Sequence, residues 1–136
     1  MKKIPTISYL KDVFNNYDTF ILDQWGVMHD GLYGFPEAIK CVNELFSYKK
    51  NLIIISNSSK RKKLTSLKLP KLGFNSDHFS EIMTSGEMIW QSLDNKKHDA
   101  TKNLGTNCFH IFDEKKSDGK TFLHDTRKYT IVENVE

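Results

Sequence analysis

A chain of 136 residues with 38% hydrophobic content is long enough for one ordinary domain with a buried core. Its 20 lysines and arginines against 17 acidic residues leave a net charge of +3, and only Arg61 and Arg127 are arginines; lysines scattered without arginine forks argue against a nucleic-acid surface. Cys41 and Cys108 stand far apart with no CxxC spacing, which points to neither a zinc site nor a disulfide framework, and no apolar run has signal-peptide or membrane-spanning length, so a cytoplasmic protein off the membrane is expected.

Taken in chain order, residues 19–23 (TFILD) form a short apolar run that ends in a carboxylate and predicts a buried parallel strand. Pro36 suits the first position of a helix. Behind it Ala38, Ile39, Val42, Leu45 and Phe46 recur at helical spacing until Lys49-Lys50-Asn51 breaks the pattern. Residues 51–56 (NLIIIS), rich in β-branched isoleucine, predict a second strand. Residues 59–72 read as a basic helix, interrupted near Pro70 and closed by Gly73, with Leu64, Leu67 and Leu72 on its apolar side. Thr84-Ser85-Gly86-Glu87 has capping-box spacing and predicts a helix carrying Met88, Ile89, Trp90 and Leu93. Residues 94–103 are polar and read as a loop, while residues 108–112 (CFHIF) and 129–132 (YTIV) predict strands.

A strand-helix-strand opening argues for a doubly wound α/β sheet, in which ligands gather beyond the carboxyl ends of the strands. Asp23 and Ser56 each occupy such an end. Two adjacent parallel strands would deliver a carboxylate and a hydroxyl to one crevice.

Ile21-Leu22-Asp23-Gln24-Trp25-Gly26-Val27 with His29-Asp30-Gly31 resembles the first motif of the haloacid dehalogenase (HAD) superfamily. Ile53-Ile54-Ile55-Ser56-Asn57-Ser58-Ser59 resembles its second motif, in the form common to the class IIA branch, and Ile82-Met83-Thr84-Ser85-Gly86-Glu87 resembles the start of that branch's cap domain. The resemblance implies a Rossmann-like α/β core with a partial parallel sheet over residues 1–81, and the start of an inserted α/β class II cap over residues 82–136. It implies magnesium-dependent hydrolysis of the phosphate ester of a small metabolite through an aspartyl-phosphate. Asp23 would be the nucleophile and a magnesium ligand, and the backbone carbonyl of Trp25 a second ligand. Ser56 and the amide of Asn57 would hold phosphate oxygens, and His29-Asp30-Gly31 would lie in the flap over the site.

Two departures from the family pattern stand out. Trp25 replaces the second motif Asp, the usual general acid and base, and an indole cannot shuttle a proton; the Asp-x-Trp-Gly-Val form resembles a class IIA subgroup. The 136 residues also end before the family's third-motif lysine and fourth-motif acidic pair, so the resemblance implies an N-terminal fragment, inactive and poorly folded alone.

Plainer readings stand beside these. Asp23 also suits a turn cap, residues 56–59 a helix N-cap cluster, and Trp25 a packing residue near the site mouth. Lys60-Arg61-Lys62-Lys63 suits a solvated helix face, and Cys41 and Cys108 suit small buried positions. None of the five histidines shows ligand spacing. The rival functions are a degenerate product retaining only a phosphate crevice, and a basic nucleic-acid-binding module.

Overall fold

The structure, a computed structural model, describes residues 6–115, 117–126 and 128–133. Three strands, β1 (Thr19–Leu22), β2 (Asn51–Ser56) and β3 (Glu81–Thr84), form a parallel sheet in the order β1-β2-β3. Thr19 lies opposite Asn51 and Leu22 opposite Ile54, while Ser56 lies opposite Thr84. Helix α1 (Pro36–Ser47) makes the crossover from β1 to β2, with Pro36 in its first turn where no backbone donor is needed.

Period-two alternation on β2 buries Leu52, Ile54 and Ser56 on one face, where Val42 and Leu45 of α1 join Met28, Leu69, Leu72, Phe74, Phe79 and Ile82 in the core. Leu52 and Ile54 are fully buried, and each such aliphatic side chain contributes about 1.5–3 kcal/mol on leaving water. On the opposite face Ile21 and Ile55 remain 63% and 49% exposed. The buried parallel strand expected over residues 19–23 is parallel but only half-buried: among the described residues β1 pairs only with β2 and lies at an edge.

Helix α2 is shorter than predicted, running Lys62–Lys68, and a 3-10 turn (Leu69–Leu72) follows because Pro70 has no N–H with which to continue the α ladder. Gly73 then stops the chain in the left-handed region at φ 87°. Residues 58–60 are withheld from the helix by bonds made elsewhere: Gly86 N–H donates to the Ser58 carbonyl at 3.0 Å, and the Thr84 hydroxyl donates to the Lys60 carbonyl at 2.5 Å. With the helix starting at Lys62, the buried stripe is Thr65, Leu69 and Leu72. The predicted apolar positions Leu64 and Leu67 point outward.

Strand β3 was not predicted; at four residues with a polar first position it carries little pattern. Thr84 caps α3 (Ser85–Asn95), its hydroxyl accepting the Glu87 N–H at 3.0 Å. The strands predicted at 108–112 and 129–132 shrink to β4 (Asn107–Cys108) and β5 (Thr130–Ile131), paired in parallel, with the short helix α4 (Ser117–Lys120) between them. His110, Ile111 and Phe112 lie outside any strand. Strand β3 straddles the expected boundary between residues 81 and 82, so the first sheet runs to Thr84. No helix among the described residues is long and apolar enough to cross a membrane.

Candidate functional site

Asp23 immediately follows β1, and Ser56 is the last residue of β2, so both stand at the carboxyl edge of the sheet as the sequence predicts. Asp23 is exposed. Its Oδ1 accepts the Gln24 N–H at 2.8 Å, and no described residue donates to Oδ2. Ser56 is buried, and its hydroxyl oxygen accepts the Ser58 N–H at 3.3 Å. A hollow of about 520 Å³ opens beside them, lined by Trp25, His29, Ser56, Asn57, Lys60 and Lys68 among others, a size suited to a small-molecule ligand. Asp23 is not among the lining side chains, yet its charge acts on His29, which is.

The flap predicted around His29 is a folded loop over residues 24–34. The Gln24 carbonyl accepts N–H bonds from Val27, Met28 and His29, and fully buried Met28 anchors the loop in the core. Asp30 closes its far end, Oδ1 accepting the N–H groups of Leu32 and Tyr33 at 2.8 and 2.7 Å; the bonds hold its carboxyl below the ordinary range. Trp25 is 66% exposed. One side of its ring packs edge-on to His29 at 6.1 Å and against Gly31, where a Cβ would collide with the indole. Gly31 at φ 102° is thus required twice, by its backbone angle and by the ring above it.

His29 was read in the sequence only as part of the flap, and the structure makes it a wall of the hollow. Its Nδ1 accepts the Gly31 N–H at 3.0 Å, which leaves Nε2 to carry the proton of the neutral ring. Burial pushes this imidazole below its ordinary value and the Lys68 charge adds to that, outweighing Asp30 and Asp23. The unfolded chain therefore binds the proton first. His29 supports full stability above about pH 6.5 and loses it as pH falls below that value. Thermal midpoints measured from about pH 7.5 down to 5.5 should decline, and His29→Gln should flatten the decline; an unchanged slope would assign the effect to another group.

Lys60 and Lys68 were also missed as site residues. Lys68 reaches across from the end of α2 to the flap, donating from Nζ to the Gly31 carbonyl at 2.9 Å, a contact over 37 residues that no local spacing reveals. The predicted solvated face at residues 60–63 is corrected at Arg61, which is 16% exposed, bonded to Glu87 and Asp125, and stacked on Trp90 at 3.8 Å.

Whether these residues suit magnesium is a question of donor chemistry. A hard cation takes oxygen ligands, and both the free oxygen of Asp23 and the Trp25 carbonyl, which accepts no hydrogen bond from a described residue, are of that kind. The two fit in type. Among the described residues no three His, Cys, Asp or Glu side chains gather as a metal cluster.

A parallel α/β sheet of Rossmann type, with a carboxylate and a hydroxyl at its carboxyl edge, defines the class. The chain belongs to the haloacid dehalogenase-like hydrolase family, whose profile matches residues 20–118. It is similar in fold to a crystal structure of a hydrolase of the haloacid dehalogenase-like family from Brucella suis 1330, with a TM-score of 0.74 and 22% sequence identity. That similarity covers 94% of this chain and 44% of the other, so the chain spans less than half of its structural neighbour's length. No curated protein matches the sequence.

Proposed function

We propose that this chain carries the nucleophile and phosphate-binding half of a magnesium-dependent phosphate monoesterase, acting on a small phosphorylated metabolite. The observation that carries the reading is the placing of Asp23 and Ser56 at the carboxyl ends of adjacent, in-register parallel strands beside a hollow walled by lysines. An Asp23 carboxylate oxygen would attack phosphorus as the P–O bond to the alcohol breaks, and water would then attack the aspartyl-phosphate, releasing phosphate and restoring Asp23. Ser56 and the Asn57 amide would donate to the phosphoryl oxygens as charge develops on them. Magnesium, held by Asp23 and the Trp25 carbonyl, would offset the repulsion between the carboxylate and the phosphate dianion.

The reading extends to the class IIA branch, on the Ser56-Asn57-Ser58 form of the second motif, and to a division into core (residues 1–81) and opening cap (82–136). The separate β4–β5 sheet supports a second unit. The reading also takes the protein to be cytoplasmic, without nucleic-acid or membrane partners. The test is to incubate the protein with nitrophenyl phosphate and magnesium and to map covalently bound phosphate. Hydroxylamine-labile phosphate on Asp23 is expected; label on another residue, with turnover intact, would overturn the assignment.

Trp25 supplies no proton to the leaving group. General acid assistance is worth about a hundred- to ten-thousand-fold, so alkyl phosphates should turn over far more slowly than nitrophenyl phosphate, whose leaving group departs without a proton. Equal rates on the two would show that another residue supplies the proton.

A second reading is favoured by Trp25, whose indole cannot shuttle a proton where the usual general acid and base stands: residues 1–136 alone hold phosphate without turning it over. Phosphate binding without release of product from any ester would single out that reading.

A further inference from the structure

We propose that Lys60 and Lys68 supply the positive charge that holds the phosphate group beside Ser56, an inference that rests on the phosphatase reading above. A dianion brought next to Asp23 needs cationic partners, and Lys60 and Lys68 both line the hollow that contains Ser56 and Asn57. They arrive from opposite ends of the segment between β2 and the 3-10 turn: Lys60 from the loop after Ser56, and Lys68 from the last position of α2.

Each is placed by contacts that leave it able to take a ligand. Lys68 spends one donor on the Gly31 carbonyl at 2.9 Å, which ties its ammonium to the flap and leaves two N–H groups. Lys60 pairs with Asp118 at 3.5 Å, and its side chain is 49% exposed, a loose contact that a doubly charged phosphate outcompetes. Among the described residues that line the hollow, Asp118 is the one carboxylate, against two lysines. Ser56 and Asn57 supply direction, and the lysines supply charge. The ligand class that fits is a phosphate dianion on a small molecule, and neutral sugars or alcohols without phosphate should not bind.

The test is titration of the protein with inorganic phosphate in magnesium buffer, by calorimetry, on wild type, Ser56→Ala, Lys60→Gln, Lys68→Gln and Lys68→Arg, with thermal melts of each. Both lysines are solvent-accessible, so melts should be close to wild type. Lys60→Gln and Lys68→Gln should each weaken phosphate binding roughly ten-fold, as expected for loss of one charge-assisted contact. Lys68→Arg keeps both the charge and the donor to Gly31 and should retain most of the affinity. If Ser56→Ala weakens binding while both glutamine variants bind as wild type, the lysine assignment is overturned and the phosphatase reading stands. If phosphate binds wild type and Ser56→Ala equally, or binds neither, the functional reading falls and this inference falls with it.

Discussion

Asp23→Asn is expected to remove roughly a thousandfold or more of whatever phosphate-releasing rate a protein carrying this sequence shows. The substitution separates chemistry from folding because Asp23 is exposed, and its one structural contact is Oδ1 accepting the Gln24 N–H at 2.8 Å. An asparagine carbonyl accepts the same bond. What it loses is the anionic oxygen that attacks phosphorus, together with half of the local donor pair for a cation. The thermal midpoint should stay within a few degrees of wild type while phosphate release collapses. If the rate stays within ten-fold of wild type, Asp23 is not the nucleophile, and the turn-capping role it plays toward Gln24 becomes its whole function.

How far such a site can be read from sequence depends on how local its determinants are. Asp23 and Ser56 were legible because each ends an apolar run, and a run that ends a parallel strand fixes its terminal residue at the carboxyl edge. Helix α1 was legible for a related reason, since Pro36 and a strong helical period both lie within its 12 residues. Helix α2 misled because its first residues are claimed by partners more than twenty positions away, Gly86 and Thr84. Shortening the helix to Lys62 turned Leu64 and Leu67 outward and chose Thr65 for the core. Lys68 and His29 escaped notice because their value comes from lining one hollow from segments far apart in the chain. Glu87 shows the same limit in reverse: the capping-box spacing predicted its helix start correctly, yet its carboxylate turns away from the cap to bind Arg61.

That Arg61–Glu87 pair carries the largest stability effect expected in the molecule. Arg61 Nε donates to Glu87 Oε2 at 2.8 Å with side chains 16% and 4% exposed, and the Lys62 N–H donates to the same oxygen at 3.1 Å. By contrast Lys40 and Glu44, 3.9 Å apart and mostly exposed, contribute about 0.3–0.5 kcal/mol. Arg61→Met leaves the buried carboxylate without its counter-charge, which costs about 3–5 kcal/mol, a large share of the 5–15 kcal/mol typical of a domain. Much of that penalty comes from the stranded charge, so Arg61→Met with Glu87→Met should recover most of it. The pH dependence identifies the cause. Burial alone would raise the Glu87 carboxyl, but the bonds and charge of Arg61 and the Lys62 amide outweigh it and hold it below the ordinary 4.5. In the wild type its contribution is therefore complete above about pH 4.5 and is lost as pH falls through the lowered folded value. In Arg61→Met the main opposing partner is gone and burial raises the carboxyl. The folded variant then takes up the proton first, and its deficit should shrink as pH falls from about 7 toward 4.5. Denaturant unfolding of wild type, both single variants and the double variant at the two pH values measures this directly; a deficit below about 1 kcal/mol, or one equal at both pH values, would show that Arg61 acts through its stacking on Trp90 rather than through the charge of Glu87.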